Sequence, residues 1–272
     1  MTSPPERPKP TQSASAGPLT VLVAEDNQVN QALIRRILEN RGYMVVLAAN
    51  GQEAVDMTAQ ARFDLIFMDV QMPKLDGLRA VARIRDMESD TPFHVPVVAM
   101  TAQAQPGDRE DCLAAGMDAY VAKPFNAAQV YAVIDELLSS QTDDAAKESA
   151  PGAVDPTAGE NEPVLDRADA LARLGDDESL LAELAAVLLE TMPPSLAAIH
   201  AAVENGDADG LRESAHSLKG AAQNLSARAV AERARALEEA GRSRNLRPTF
   251  TLLVQLEKEI DRLRPELAKM TG

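Results

Sequence analysis

The sequence predicts two folds in series: a doubly wound five-stranded parallel α/β sheet followed by an all-α helical bundle. Three observations carry this reading. From Leu19 to about Ser140, short β-rich apolar runs alternate with longer stretches of helical periodicity. A segment rich in Pro, Gly, Ala and acidic residues then breaks all periodicity, and from Val164 onward only helical runs remain. A length of 272 residues suits two cores at the usual size of roughly 150 residues per domain.

In chain order, "LTVLVAED", "YMVVLAAN", "DLIFMDV", "VPVVAMTA" and "DAYVAKP" read as buried strands, each followed by a helix pattern. The stretch "NAAQ" at Asn126–Gln129 has the spacing of a capping box opening the last of these helices. After it come five helical runs, "DESLLAELAAVLLETM", "PPSLAAIHAAVEN", "ADGLRESAHSLKGAAQNLS", "ARAVAERARALEEAG" and "LRPTFTLLVQLEKEIDRLRPELAKM". Breaks such as "NGDAD" and "GRSRN" suit antiparallel neighbours. The expected boundaries are a disordered leader at 1–18, the sheet domain at 19–140, a flexible linker at 141–163 and a four-helix bundle at 164–272.

Composition excludes several classes. Aromatic residues make up 3% of the chain and tryptophan is absent, so both cores must be aliphatic and alanine-rich. A net charge of -15 repels nucleic acid phosphates, and no basic patch offsets it. Cys112 is the single cysteine, which rules out an intramolecular disulfide. No apolar run approaches the roughly 18 to 20 residues that span a bilayer, and the leader has no apolar signal-peptide core. The expectation is a cytoplasmic protein with no membrane insertion, and the leader starting at Met1 favours a separate protein over a fragment of a larger one.

Ligands of an open parallel sheet bind beyond the carboxyl ends of the strands. Polar residues fall at those ends here: Glu25 and Asp26 after the first strand, Asp69 at the third, Thr101 at the fourth and Lys123 at the fifth. Three neighbouring carboxylates require a cation among them, and hard oxygen ligands in an open site suit Mg²⁺. With Lys123 and the Thr101 hydroxyl beside them, the set forms a site for a phosphoryl group.

The motifs "EDNQVNQ", "MDVQMPKLDG", "MTA" and "KPF", in this order and each at a strand end, resemble the receiver domain of two-component response regulators over roughly residues 19 to 140. The resemblance implies a flavodoxin-like sheet in which Asp69 accepts the phosphoryl group from a phosphohistidine as an acyl phosphate. It implies Glu25, Asp26, Asp69 and the carbonyl of Gln71 as Mg²⁺ ligands, and Thr101 and Lys123 as phosphoryl-binding groups. Tyr120 stands where the family carries the aromatic that moves with the threonine. Ala102 leaves access to the phosphoryl group, and Gln71 and Gln103 hold the positions that tune hydrolysis. Met72 and Pro73 are expected to shape the loop over the site, and Arg35 and Arg36 to be solvated surface. A phosphatase of the haloacid dehalogenase type needs an aspartate two residues after the nucleophile, where this chain has Gln71.

In the bundle, an advance of about 100° per residue aligns Leu211, Ala215, Leu218, Ala222 and Leu225 on one seam. His216 lies about 140° from Leu211 and shares its sector with Arg212, Lys219, Gly220 and Gln223, so it is expected to face solvent. Gly220 costs the helix about 1 kcal/mol relative to alanine. Clearance for an approaching partner would explain that cost. The stretch "HSLKGAAQNLSA" in such a bundle resembles a histidine phosphotransfer (HPt) domain over roughly residues 164 to 270. The resemblance implies that His216 is phosphorylated, that Lys219 is its charge partner and that Gly220 and Gln223 border the docking site. His94 and His200 lack such neighbours.

Together the two resemblances imply a phosphorelay intermediate without independent turnover, capable of Mg²⁺-dependent self-phosphorylation and autodephosphorylation at the receiver. Its partners would be a sensor or hybrid histidine kinase and another receiver-domain protein. Docking specificity is expected on the first receiver helix, around residues 28 to 40, and around His216. Two alternatives stay open: a binding module gated by phosphorylation of Asp69, and a phosphate sink whose domains serve separate partners.

Overall fold

The computed structural model describes residues 17–89, 91–101, 106–140 and 164–271. The linker at 141–163, residues 1–16 of the leader, and Ala102 and Gln103 lie outside the described residues. The first half runs β1 (Thr20–Ala24), α1 (Gln28–Asn40), β2 (Met44–Ala48), α2 (Gly51–Gln60), β3 (Leu65–Asp69), α3 (Gly77–Glu88), β4 (Val97–Thr101), α4 (Pro106–Ala114), β5 (Ala119–Ala122) and α5 (Ala127–Ser140). All strand pairs are parallel, in the order β2-β1-β3-β4-β5. That is the doubly wound sheet the alternation predicts.

Side-chain alternation along each strand supplies two faces. Val21, Val23, Leu65, Phe67, Val98 and Met100 point to the side covered by Leu33 and Ile37 of α1 and by Val130 and Ile134 of α5. Leu22, Ala24, Ile66, Met68, Val97 and Ala99 point to the side covered by Ala54 of α2, Ile84 of α3 and Cys112 of α4. Asn126 and Gln129 form the reciprocal capping box at the start of α5, at 2.9 and 3.0 Å.

The second half is α6 (Arg167–Arg173), α7 (Glu178–Asn205), α8 (Ala208–Asn224), α9 (Arg228–Arg242) and α10 (Thr249–Ala268). The last four form the predicted four-helix bundle. Asp177 and Asp207 cap α7 and α8 by accepting backbone N–H bonds. The predicted seam is the real one, since Leu211, Ala215, Leu218, Ala222 and Leu225 are all buried. At Gly241 an added Cβ would stand 2.7 Å from the Ala208 carbonyl, so α9 approaches α8 too closely for any larger residue.

Two expectations need correction. The runs before and after Pro193–Pro194 are one continuous helix, α7. The prolines forfeit two helical hydrogen bonds, but Leu188 and Met192 before them and Ile199 after them bury in the same core. The hydroxyls of Thr191 and Ser195 bond back to the carbonyls of Val187 and Thr191 on the same turns. This helix is also long and apolar enough to cross a membrane by length and composition, contrary to the sequence scan. One face of it, with Leu181, Leu184, Leu188, Met192 and Ile199, packs into the bundle core.

The two halves share a core. Receiver-side residues such as Ile34 and Ile37 and bundle residues such as Leu181 and Leu218 belong to one contiguous apolar cluster, and α1 packs against both α7 and α8.

Candidate functional site

The loops after β1, β3 and β5 are held in position by local chemistry. Asn27 caps α1 through bonds from the Val29 and Asn30 N–H groups, which anchors the turn carrying Glu25 and Asp26. After β3, the Gly77 N–H donates to the Val70 carbonyl at 3.0 Å. A Cβ on Gly77 would meet the Asp69 carbonyl at 2.1 Å, so only glycine lets the loop return this close. Beyond β5, Lys123 donates its backbone N–H to the Thr101 carbonyl at 2.7 Å, and the Lys123–Pro124 peptide is cis.

The result is a buried charge cluster. Lys123 Nζ bonds Glu25 Oε2 at 2.6 Å and Asp69 Oδ2 at 2.7 Å. Asp69 Oδ1 accepts from the Gln71 N–H at 3.1 Å. Carboxylate oxygens of Glu25, Asp26 and Asp69 lie within 4.8 Å of one another. Burial pushes the Asp69 carboxyl up to about 6, with Lys123 opposing and Glu25 adding to the shift. Burial, and then the charge of Asp69, raise Asp26 to about 6 as well. Burial alone would lower Lys123, but Asp69 and Glu25 hold it above its ordinary value. An all-oxygen, electron-rich set of this kind fits a hard divalent cation. Glu25 is the most engaged member, because its Oε1 also accepts from Asn30 Nδ2 at 2.8 Å.

Opposite this cluster stands α8. His216 Nδ1 lies 2.9 Å from Glu238 Oε1 on α9, and Lys219 Nζ bonds Glu238 Oε2 at 2.7 Å. An ionised carboxylate only accepts, so Nδ1 carries the proton and Nε2 is the ring nitrogen left free of Glu238. Burial would raise Glu238, yet the bonds from His216 and Lys219 draw it down to about 2. Arg242 Nη2 adds a third bond at 3.1 Å.

One cleft is lined by Glu25, Asp26, Asp69 and Lys123 from the sheet and by His216, Lys219, Gly220 and Gln223 from the bundle. Asn27, Asn30 and Ser217 complete its wall. Thr101 is buried at the end of β4, and Tyr120 packs against the core on the far face of the sheet. Gln71 is exposed just beyond Asp69. None of these three borders the cleft among its lining residues.

The solvent-facing expectation for His216 is corrected: its side chain is 14% exposed. The helix angle rightly excluded it from the bundle seam, but the other side of α8 is covered by α1. Arg35 and Arg36 likewise are not plain surface, since they pair with Glu183 of α7 and with its cap Asp177 at 3.4 and 3.7 Å across the same junction. A Cβ on Gly220 would lie 3.5 Å from Asn30 Nδ2, an ordinary contact, so glycine is required only against residues larger than alanine. Met72 is buried in the loop over the site, as expected. His94 pairs with Asp118 and His200 with Glu257, both away from the cleft.

Sequence reasoning missed Glu238, Asn27, Asn30, Ser217 and Asn224. Asn27 and Asn30 stand inside the quoted motif "EDNQVNQ", and their three-residue spacing was the available signal. Glu238 offered none, because its partner lies 22 residues earlier on another helix.

Residues 21–135 match the response regulator receiver domain family and residues 183–266 the Hpt domain family. The sensor protein GacS of Pseudomonas syringae pv. syringae is 33% identical over 254 residues, covering 92% of this chain and 27% of that protein. The polar-differentiation response regulator DivK of Brucella anthropi is 37% identical over 121 residues, covering 44% of this chain and 97% of DivK. The hybrid signal transduction histidine kinase I of Dictyostelium discoideum is 43% identical over 123 residues, and this chain spans 7% of its length. Among solved structures, the receiver domain of a sensor histidine kinase from Pseudomonas aeruginosa, with a magnesium ion in its active site cleft, is 42% identical at a TM-score of 0.41. It covers 44% of this chain and 97% of that one. The chain belongs to the two-component phosphorelay family, with a response regulator receiver domain followed by an Hpt domain.

Proposed function

We propose that the chain is a phosphorelay intermediate that takes a phosphoryl group on Asp69 from a histidine kinase and exchanges it with His216. From there it would pass to or from the aspartate of another receiver. The carrying observation is that the Asp69 and Lys123 cluster and the His216 and Lys219 pair face one cleft within a single molecule. Boundaries at 19–140 for the receiver and 164–272 for the HPt domain suit this reading, with 141–163 as tether. A tether of this length raises the effective concentration of one domain at the other to the order of millimolar.

In the forward step, the Nε2 lone pair of His216 attacks phosphorus of the Asp69 acyl phosphate. The Asp69 oxygen–phosphorus bond breaks, its electron pair returns to the carboxylate, and the phosphoryl group rests on Nε2. Nδ1 keeps its proton throughout because Glu238 holds it. Lys123 and Lys219 offset phosphoryl charge from opposite walls, so the chain contributes positioning and neutralisation with no general base. Thr101 would bind a phosphoryl oxygen and Tyr120 follow it. Asp26, Asp69 and the Gln71 carbonyl, with Glu25 beside them, would hold Mg²⁺, which supplies further neutralisation of the transferred group. A net charge of -15 favours protein partners and no nucleic acid, a single cysteine suits a cytoplasmic setting, and the packing of one face of α7 within the bundle favours no membrane insertion.

The limited exposure of His216 favours a second reading, in which docking hides the histidine from outside receivers until phosphorylation of Asp69 releases it. Labelled phosphate from a hybrid kinase or small phosphodonor, followed in the intact chain and in Asp69→Ala and His216→Ala variants, separates the two. Label that moves from Asp69 to His216 with no outside receiver present supports the relay. Label that reaches His216 only from an outside receiver, and only when Asp69 is phosphorylated, supports the gate and overturns the relay order.

A further inference from the structure

Between α1 and α8 lies a set of polar side chains with no part in the phosphoryl chemistry. Asn27 Nδ2 donates to both the carbonyl and the hydroxyl of Ser217 at 2.8 Å. Asn224 Nδ2, at the last residue of α8, donates to Asn30 Oδ1 at 2.6 Å. Asn30 Nδ2 in turn donates to Glu25 Oε1 at 2.8 Å. Asn27, Asn30 and Asn224 are 8%, 4% and 7% exposed, so none can exchange these bonds for water while the domains are docked.

The order of donors and acceptors is forced. An ionised Glu25 only accepts, which turns the Asn30 amino group toward it and leaves Oδ1 as the group presented to the bundle. Asn224 supplies the matching N–H. We propose that Asn30 and Asn224, with Asn27 and Ser217, form a docking latch that selects this chain's own HPt helix as partner of its receiver and sets the register of His216 over Asp69. A bundle lacking a donor at the position of Asn224 would bury the Asn30 oxygen unbonded, a cost that rejects it. The apolar part of the α1 contact accepts many partners; the amide pair is what discriminates. These are positioning residues, and their kinetic readout rests on the relay proposed above.

The test uses the full chain as wild type, Asn224→Asp, Asn224→Ala, Asn30→Ala and the Asn30→Ala/Asn224→Ala double variant. Asn224→Asp is nearly isosteric, and it replaces the donor with a carboxylate oxygen facing Asn30 Oδ1, so it keeps the test valid if the alanine variants lose fold by circular dichroism. Small-angle X-ray scattering reports whether the domains stay docked. Label loaded on Asp69 from acetyl phosphate reports passage to His216, expressed relative to Asp69 loading. We expect Asn224→Asp to separate the domains and slow passage about tenfold or more, since the loss exposes a buried acceptor. The double variant should be no worse than the more damaging single one. Wild-type compactness and passage in Asn224→Asp, or fully additive single effects, would overturn the latch, as would an extended wild type. A compact wild type that never labels His216 sinks the relay reading instead, and scattering of Asn224→Asp still decides the latch.

Discussion

Glu238 Oε1 lies 2.9 Å from His216 Nδ1, and the other oxygen of the same carboxylate lies 2.7 Å from Lys219 Nζ. One buried acid on α9 therefore fixes the tautomer of the histidine and the position of its cationic neighbour. Glu238→Gln keeps the shape but removes the charge and lets the imidazole adopt either tautomer. Passage of phosphate to His216 should fall by about tenfold or more, the scale of a charged hydrogen bond, while loading of Asp69 persists. Single-turnover labelling of wild type and Glu238→Gln measures both, and a full-rate Glu238→Gln variant would remove Glu238 from the site.

The same carboxylate gives the bundle a pH dependence. Glu238 is held at about 2, below its ordinary 4.5. A depressed acid binds fewer protons folded than unfolded, so its contribution is complete above about pH 4.5 and fades as pH falls toward 2. Urea unfolding of wild type and Glu238→Gln at pH 7, 4.5 and 3 should show a stability gap that narrows with acidification. A constant gap would mean that packing, not charge, holds Glu238.

In the receiver, Asp26 and Asp69 are both pushed up to about 6, burial being the main cause. Crowded carboxylates of this kind are costly without a counter-ion. Asp26→Asn should raise the melting temperature by about 2–4 °C in chelator, the usual effect of roughly 1 kcal/mol in a protein of this size. Mg²⁺ should then stabilise wild type and leave Asp26→Asn nearly unmoved. Calorimetry with and without Mg²⁺ checks both halves, and equal Mg²⁺ responses would exclude Asp26 as a ligand.

How much of this was legible follows from the range of each signal. Glu25, Asp26, Asp69, Thr101 and Lys123 could be found because each ends a strand, and a parallel sheet brings strand ends together whatever the loops do. The seam Leu211, Ala215, Leu218 and Ala222 was legible from helical period alone. The path of α7 through Pro193–Pro194 was not, since local propensity forbids it and only the packing of Met192 and Ile199 overrides it. The cover over His216 was equally invisible. Periodicity shows which side of α8 meets its own bundle, and it carries no information about a second domain that shields the other side. Arg35 and Arg36 of α1 read as solvated surface for the same reason, yet they pair with Glu183 and Asp177 across the junction.

Gly220 tests that cover directly. The sequence suggested clearance, and in the docked arrangement an added Cβ would stand 3.5 Å from Asn30 Nδ2 and 4.0 Å from its oxygen, both ordinary contacts. Alanine therefore fits, and a helical interior gains about 1 kcal/mol when glycine is replaced by alanine. Gly220→Ala should melt higher than wild type and keep passage of phosphate to His216. A longer side chain starts from a Cβ already in contact with Asn30 in the cleft wall, so Gly220→Gln should part the domains and lose most passage while the bundle itself stays folded. Thermal melts, scattering and labelling of the two variants give the comparison. Loss of passage in Gly220→Ala would show that the productive complex is tighter than the docked arrangement described here, and full passage in Gly220→Gln would show that transfer to His216 does not run through this junction.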